Sequence, residues 1–423
     1  MAKAYKLQSP PGPKPWPVIG NLHILNLKRP YQTMLELSKK YGSIYSIHMG
    51  PRKVVVLSGY ETVKDALVKY GNQFEERSRV PIFERLFNGK GKPFEIKKVL
   101  NASVANVIVS VLFGKRFDYQ DPQFLRLLTL IGENVKLIGS SRIVLFNMFP
   151  VLGFLLRSHK KVLRNRDEIF FFIRMTLLEH HQNLDKNDPR SFIDAFLLRQ
   201  QEENDISADY FNEENLLALV SNLFAAGTET TATTLRWGVT LMMRYPEVQE
   251  KVHDEIVKVV GSAQPRIEHR TQMPYTDAVV HEIQRFADIL PTSLPHETTT
   301  DVIFKNYYIP KGTEVIPLLT SVLQDPTQWE TPDTFNPAHF LNSKGSFVKK
   351  EAFMPFSVGR RMCAGEPLAK MELFLFFASL MQKFTFLPPH GVSNLDLDLT
   401  PDPGFTIQPR PHKIRALLRA SAL

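Results

Sequence analysis

Three groups of residues in this 423-residue chain have types and spacings that could do chemistry. The first centres on Cys363, the only cysteine, so no disulfide can form within the chain and only thiol chemistry remains. A lone cysteine is by default a small core hydrophobe. This one stands between Gly359 and Gly365, in a segment that must turn tightly, and just ahead of Pro367, which suits the first turn of a helix. A helix from about Pro367 to Met381 places Leu368, Met371, Leu375 and Phe376 on an apolar face and its N-terminus beside the thiol. Free N–H groups and the helix dipole there stabilise a thiolate. Arg361 adds positive charge for an anionic ligand. A thiolate on a rigid, glycine-shaped loop suits a soft or borderline metal such as iron.

The second group, Ala226-Gly227-Thr228-Glu229-Thr230-Thr231, interrupts the longest helical pattern, Asn212 to Met243. Asn212 is placed to cap that helix, Glu213 and Glu214 occupy its first turn, and Pro246 enforces its stop. A mid-helix glycine costs about 0.5–1 kcal/mol, and the threonines are weak helix formers. Such local rule-breaking marks a functional site or a threonine-rich kink between packed helices. In the third group, Glu282 and Arg285 share one face of a helix from Tyr275 to Ala287 and can pair. Most such pairs are exposed and contribute little. A His-Glu-x-x-His zinc reading, starting at His281, fails at Arg285.

Phe356, Gly359, Arg361, Cys363 and Gly365 fill all five positions of Phe-x-x-Gly-x-Arg-x-Cys-x-Gly, and the stretch resembles the haem-binding loop of the cytochrome P-450 monooxygenases, closest to the microsomal family 2 of vertebrates. The resemblance implies that Cys363 is the thiolate ligand of the iron of haem b, with Arg361 on a haem propionate. Ala226 to Thr231 then resembles the oxygen-activation motif: Ala226 and Gly227 lie against the haem, Gly227 lets dioxygen approach, Thr230 hydrogen-bonds the oxygen, and Glu229 helps relay protons. By the same resemblance Glu282, Arg285 and His339 form a structural lock that holds the haem loop, and His296 binds a propionate. Phe224, Ala225, Leu294 and Phe405 are apolar candidates for the substrate chamber, with plain core as the competing reading.

The implied fold is mainly α: a triangular single domain, residues 22–423, with a small β region, preceded by a proline-rich hinge at residues 1–21. Helices at Tyr31–Tyr41 and Tyr60–Lys69 flank strands Ile44–Met49 and Lys53–Leu57. Gln123 to Leu145 and Lys160 to Gln182 read as two long helices, joined by the apolar, proline-broken segment from Phe149 to Leu156, which in the family roofs the chamber and dips into the membrane surface. Gly404 to Ile407 is expected at a strand tip facing substrate. Around residues 88–94 the sequence departs from the family, which there carries a helix with Trp-x-x-x-Arg. None of Trp16, Trp237 and Trp329 has an arginine four residues on, so that helix is expected to be missing.

The net charge of +9 favours an anionic partner, a membrane surface or an acidic protein. No basic-plus-aromatic module indicates nucleic acid. The longest apolar run, Ile143 to Leu156, is too short to cross a bilayer, and no anchor precedes the hinge, as in a trimmed chain or a shortened isoform. The resemblance implies an oxidoreductase that inserts oxygen into lipophilic small molecules (xenobiotic, fatty acid or steroid). Its partners would be an NADPH-cytochrome reductase and cytochrome b5, at the cytosolic face of the endoplasmic reticulum membrane. The alternative is a non-catalytic or haem-deficient shortened isoform, acting at most as a binding protein.

Overall fold

The computed structural model describes residues 9–26, 30–66, 93–153, 157–202, 210–402 and 404–419. The chain divides into two compact units, residues 1–89 and 90–423. In the first, α1 (Pro30–Tyr41) precedes an antiparallel pair, β1 (Ile44–Met49) and β2 (Arg52–Leu57), followed by α2 (Tyr60–Lys64). Residues 67–69 of the expected second helix lie outside the described residues. Tyr45 and Ile47 are fully buried and pack with Leu25, Met34 and Leu37. The proline segment docks on β1 through its backbone: Pro11 O accepts from Ser46 N at 2.7 Å and Pro10 O from the Ser46 hydroxyl at 2.9 Å. Gly12 permits the approach, because a Cβ there would lie 1.9 Å from Ser46 O. Trp16 stacks on His23 and stays largely exposed, so the fully buried Asn21, bonded to Lys14 O and His48 N, anchors the segment instead.

In the second unit the helices run α3 (Lys97–Phe113), α4 (Pro122–Ile138), α5 (Ser141–Met148), α6 (Ser158–Gln182), α7 (Phe192–Glu202), α8 (Glu213–Arg244), α9 (Pro246–Val260) and α10 (Pro274–Ala287). Two-stranded antiparallel ribbons follow: β3 (His296–Glu297) with β6 (Glu314–Val315), and β4 (Val302–Phe304) with β5 (Tyr307–Ile309). Beyond α11 (Glu366–Lys383), β7 (Phe384–Leu387) pairs with β10 (Arg415–Leu418), and β8 (Pro401–Asp402) pairs with β9 (Gln408–Pro409) to close a hairpin. The fold is mainly α, as expected. No helix among the described residues is long and apolar enough to cross a membrane.

Helix α8 runs for 32 residues with the Asn212 side chain capping Asn215 N at 2.8 Å. It joins two cores. Its first half packs Leu216, Leu217, Val220 and Phe224 among α3, α4, α6 and α7. Its second half packs Leu235, Val239 and Met242 among α9, α10 and α11. The Ala226–Thr230 segment sits at the junction between them.

The stretch Gln123–Leu145, expected as one helix, is two. Helix α4 ends at Ile138, and Gly139 packs so closely on the hairpin between β8 and β9 that a Cβ would lie 2.1 Å from Phe405 N. Ser140 then starts α5, so a tertiary contact ends the first helix. Gly139→Ala is expected to displace the hairpin tip and lower stability by about 1–3 kcal/mol, the usual range for overpacking, read by urea unfolding.

Candidate functional site

Cys363 follows a short 3₁₀ turn, Gly359–Arg361, in the loop that leads into α11. Ser357 and Gly359 take positive φ of 59° and 81°, folding the loop back so that Cys363 N donates to Phe356 O at 2.9 Å. Gly365 precedes the helix, Pro367 occupies its first turn, and Ala369 N returns to Gly365 O at 2.9 Å. The loop therefore presents the thiol, together with the exposed Arg361, ahead of a helix N-terminus. A Cβ on Gly365 would lie 3.9 Å from Cys363 Sγ.

In α8 the two faces of the threonine-rich centre differ. Ala226 is exposed and Thr230 half-buried, with the Thr230 hydroxyl donating to Ala226 O at 2.8 Å. Glu229 is 2% exposed and faces inward, 3.5 Å from Arg236 Nη2. The missing side chain of Gly227 serves helix packing, because a Cβ would lie 2.7 Å from Ile108 Cδ1 of α3.

Glu282, Arg285 and His339 meet in one buried cluster. Arg285 donates both Nε and Nη2 to Glu282, at 2.8 and 2.7 Å, a bidentate pair fully shielded from solvent. Its remaining N–H groups go to the carbonyls of Leu323, Pro332 and Thr334 at 2.8–3.0 Å. His339 Nδ1 lies 3.2 Å from Glu282 Oε2, and Asn336 N donates to Glu282 Oε1 at 2.8 Å. Every donor of the guanidinium fork thus has an acceptor, which a buried ion pair requires.

Among the remaining candidates, His296 is half-buried on β3 opposite Val315. Leu294 and Phe405 are exposed, Phe405 at the hairpin tip. Phe224 is 1% exposed inside the α3–α7 core, and Ala225 packs against that core. Two further features have no local motif. Gln408 and Arg236 both contact Glu229, and Arg236 alone could have been anticipated, as a cation two helical turns from a buried acid. Glu372 on α11 is buried against Thr231, the neighbour of Thr230, with its Oε1 lacking a hydrogen-bond partner, and it links the helix after Cys363 to the centre of α8. Burial pushes its carboxyl up to about 7, partly offset by the Thr231 hydroxyl.

Arg285→Met is expected to cost about 3–5 kcal/mol by leaving the Glu282 carboxylate buried and unpaired, measured by chemical unfolding. For Glu372 the folded-state value lies above the unfolded one, so its share of stability is complete below about pH 4.5 and is lost as pH rises to about 7. Glu372→Gln should therefore gain stability over the parent at pH 8 and not at pH 4, by on the order of 2–3 kcal/mol, read as the pH dependence of the unfolding midpoint.

The sequence model of the cytochrome P450 family matches residues 10–92 and 84–416, most of the chain in two pieces. Cytochrome P450 2K6 of Danio rerio is 46% identical over 456 residues, covering 96% of this chain and 90% of that protein. Cytochrome P450 2W1 of Mus musculus is 43% identical over 451 residues, covering 95% and 91%, and cytochrome P450 2F2 of Mus musculus is 42% identical over 462 residues, covering 97% and 94%. The first alignment is longer than the 423-residue chain, so part of that relative has no counterpart here. A glycine-shaped cysteine loop at a helix start, a buried Glu-Arg-His cluster, and this similarity along nearly the whole length together place the chain in the cytochrome P450 family, as a haem-thiolate monooxygenase of the family 2 type.

Proposed function

We propose that the protein inserts one atom of dioxygen into lipophilic small molecules at a haem b held by the Cys363 thiolate, with two electrons supplied in turn by an NADPH-dependent flavoprotein reductase. The observation that carries this reading is the link between two motifs: the Cys363 loop leads into the helix whose Glu372 lies against Thr231, beside Thr230. The residues also fit the group. A soft sulfur donor sits on a turn with cationic Arg361, and His296 offers a second partner for propionates. Large apolar side chains, Leu294, Val358 and Met362, stand exposed near these residues in sequence, as an apolar macrocycle requires. When bound, haem supplies the binding and reductive activation of dioxygen.

The chain's own residues then divide the work. Cys363 holds the iron, Phe356, Gly359 and Gly365 shape the loop, the exposed Ala226 keeps the facing helix surface low, and Gly227 lets α3 pack behind it. Thr230 holds a proton at its hydroxyl oxygen and Glu229 supplies protons to it. The Glu282–Arg285–His339 cluster keeps the cysteine loop in place without touching substrate. Leu294 and Phe405, both exposed, are the better chamber candidates; Phe224 and Ala225 belong to the core of α3, α4, α6 and α7. Association with the endoplasmic reticulum membrane, on its cytosolic face, and an auxiliary cytochrome b5 follow the same reading, as does one catalytic domain at residues 22–423 behind a hinge at 1–21.

The unmatched part of the 2K6 relative favours a second reading, a shortened isoform that holds haem weakly. The expected gap around 88–94 falls mostly outside the described residues. One spectrum separates the two readings. With the purified chain reduced under carbon monoxide, a strongly red-shifted Soret band is expected and should vanish in Cys363→Ala; a parent chain without that band overturns the proposal. Thr230→Ala should keep the band and lose most of the coupling between oxygen use and product.

A further inference from the structure

Glu229 belongs to a network that spans three elements. Gln408, the first residue of β9, donates its amide Nε2 to Glu229 Oε1 at 2.6 Å. The other end of that amide, Oε1, accepts from Lys97 Nζ at 3.1 Å, in the first turn of α3. On α8 itself, Thr233 Oγ1 donates to the same Glu229 oxygen at 3.2 Å, and Arg236 Nη2 donates to Thr233 Oγ1 at 2.7 Å. Glu229, Thr233, Arg236 and Gln408 are each 5% exposed or less, while Lys97 is half-buried. Every contact to the carboxylate thus converges on Oε1. The second oxygen, Oε2, is buried with no hydrogen-bond partner, as are Arg236 Nε and Thr228 Oγ1.

A carboxylate out of water persists only where donors replace its hydration. Here most of the donors come from outside the motif. An amide does not pass protons along, so Gln408 acts by fixing where the carboxylate sits and by presenting the dipole through which Lys97 reaches it. Burial and neighbouring Arg236 hold the Lys97 ammonium below its ordinary value, and Glu229 opposes them.

We propose that Gln408 and Lys97 are positioning residues for Glu229: they anchor its carboxylate by one oxygen on the inward face of α8 and leave the other oxygen to serve the proton supply of Thr230. This rests on the monooxygenase reading above. Productive turnover takes one dioxygen, two electrons from the reductase and two protons, putting one oxygen atom into substrate and one into water. If the same two electrons and two protons end on dioxygen without insertion, hydrogen peroxide leaves and substrate is unchanged. A misplaced Glu229 therefore appears as electrons diverted from product to peroxide.

The test uses the full, haem-loaded chain with reductase, NADPH and a lipophilic substrate that it turns over. Gln408→Leu is expected to raise the peroxide-to-product ratio roughly tenfold, with substrate KM and the red-shifted carbon monoxide band unchanged. Lys97→Met should move the ratio in the same direction, and Lys97→Arg should restore it. A double-mutant cycle of Glu229→Gln with Gln408→Leu in urea unfolding of the same chain should be non-additive by about tenfold in the folding equilibrium constant. An additive cycle overturns the network whether or not the chain turns over. A parent-like ratio in Gln408→Leu, with Thr230→Ala uncoupled alongside it, overturns the positioning role and leaves the monooxygenase reading standing. Loss of the red-shifted band in the parent chain counts against that reading alone, and the cycle then still decides the network.

Discussion

The buried guanidinium of Arg285 constrains the second unit more than any other single group. Taking a charge out of water is favourable only if every donor finds an acceptor, and Arg285 finds five: two oxygens of Glu282 and the carbonyls of Leu323, Pro332 and Thr334. Two of those acceptors, Pro332 and Thr334, lie on irregular backbone that no strand or helix ladder holds, and the third closes the short helix Thr320–Leu323. The segment from 323 to 340 therefore takes its shape from a side chain on α10, and His339 and Asn336 close the cluster from the other side. The Cys363 loop follows that segment in the chain.

Helix α8 supplies the second constraint. It is long because it belongs to two cores, and its weak helix formers fall where one core ends and the next begins. Tight packing of α3 on Gly227 brings the neighbouring helix close at that point, and Glu372 crosses from α11 to meet Thr231. The centre of the helix is thereby held from two sides by tertiary contacts instead of by propensity.

Much of this was legible in the sequence because it is written in short spacings. Phe356 to Gly365 encodes its own turn, Glu282 and Arg285 share a face three residues apart, and the bounds of α8 follow from Asn212 and Pro246. What escaped was long-range. Gln408 touches a residue 179 positions away and Lys97 touches Gln408 across 311, so neither leaves a local pattern. The break at Gly139 was hidden because an isolated glycine is tolerated in a helix, and only the approach of Phe405 makes it a terminus. Phe224 shows a different limit: an apolar residue on an apolar helix reads the same whether it lines a chamber or fills a core.

The proline segment on β1 has a consequence for how the first unit meets other chains. A strand edge offers alternating donors and acceptors, and another chain can continue the sheet wherever both are free. Pro10 and Pro11 lend their carbonyls to Ser46 but have no N–H of their own. The edge is thus covered by a stretch that accepts hydrogen bonds and cannot hand the pattern on to a further strand. Growth of the ribbon stops there, and a newly made molecule carries its own guard against sticking edge to edge to its neighbours.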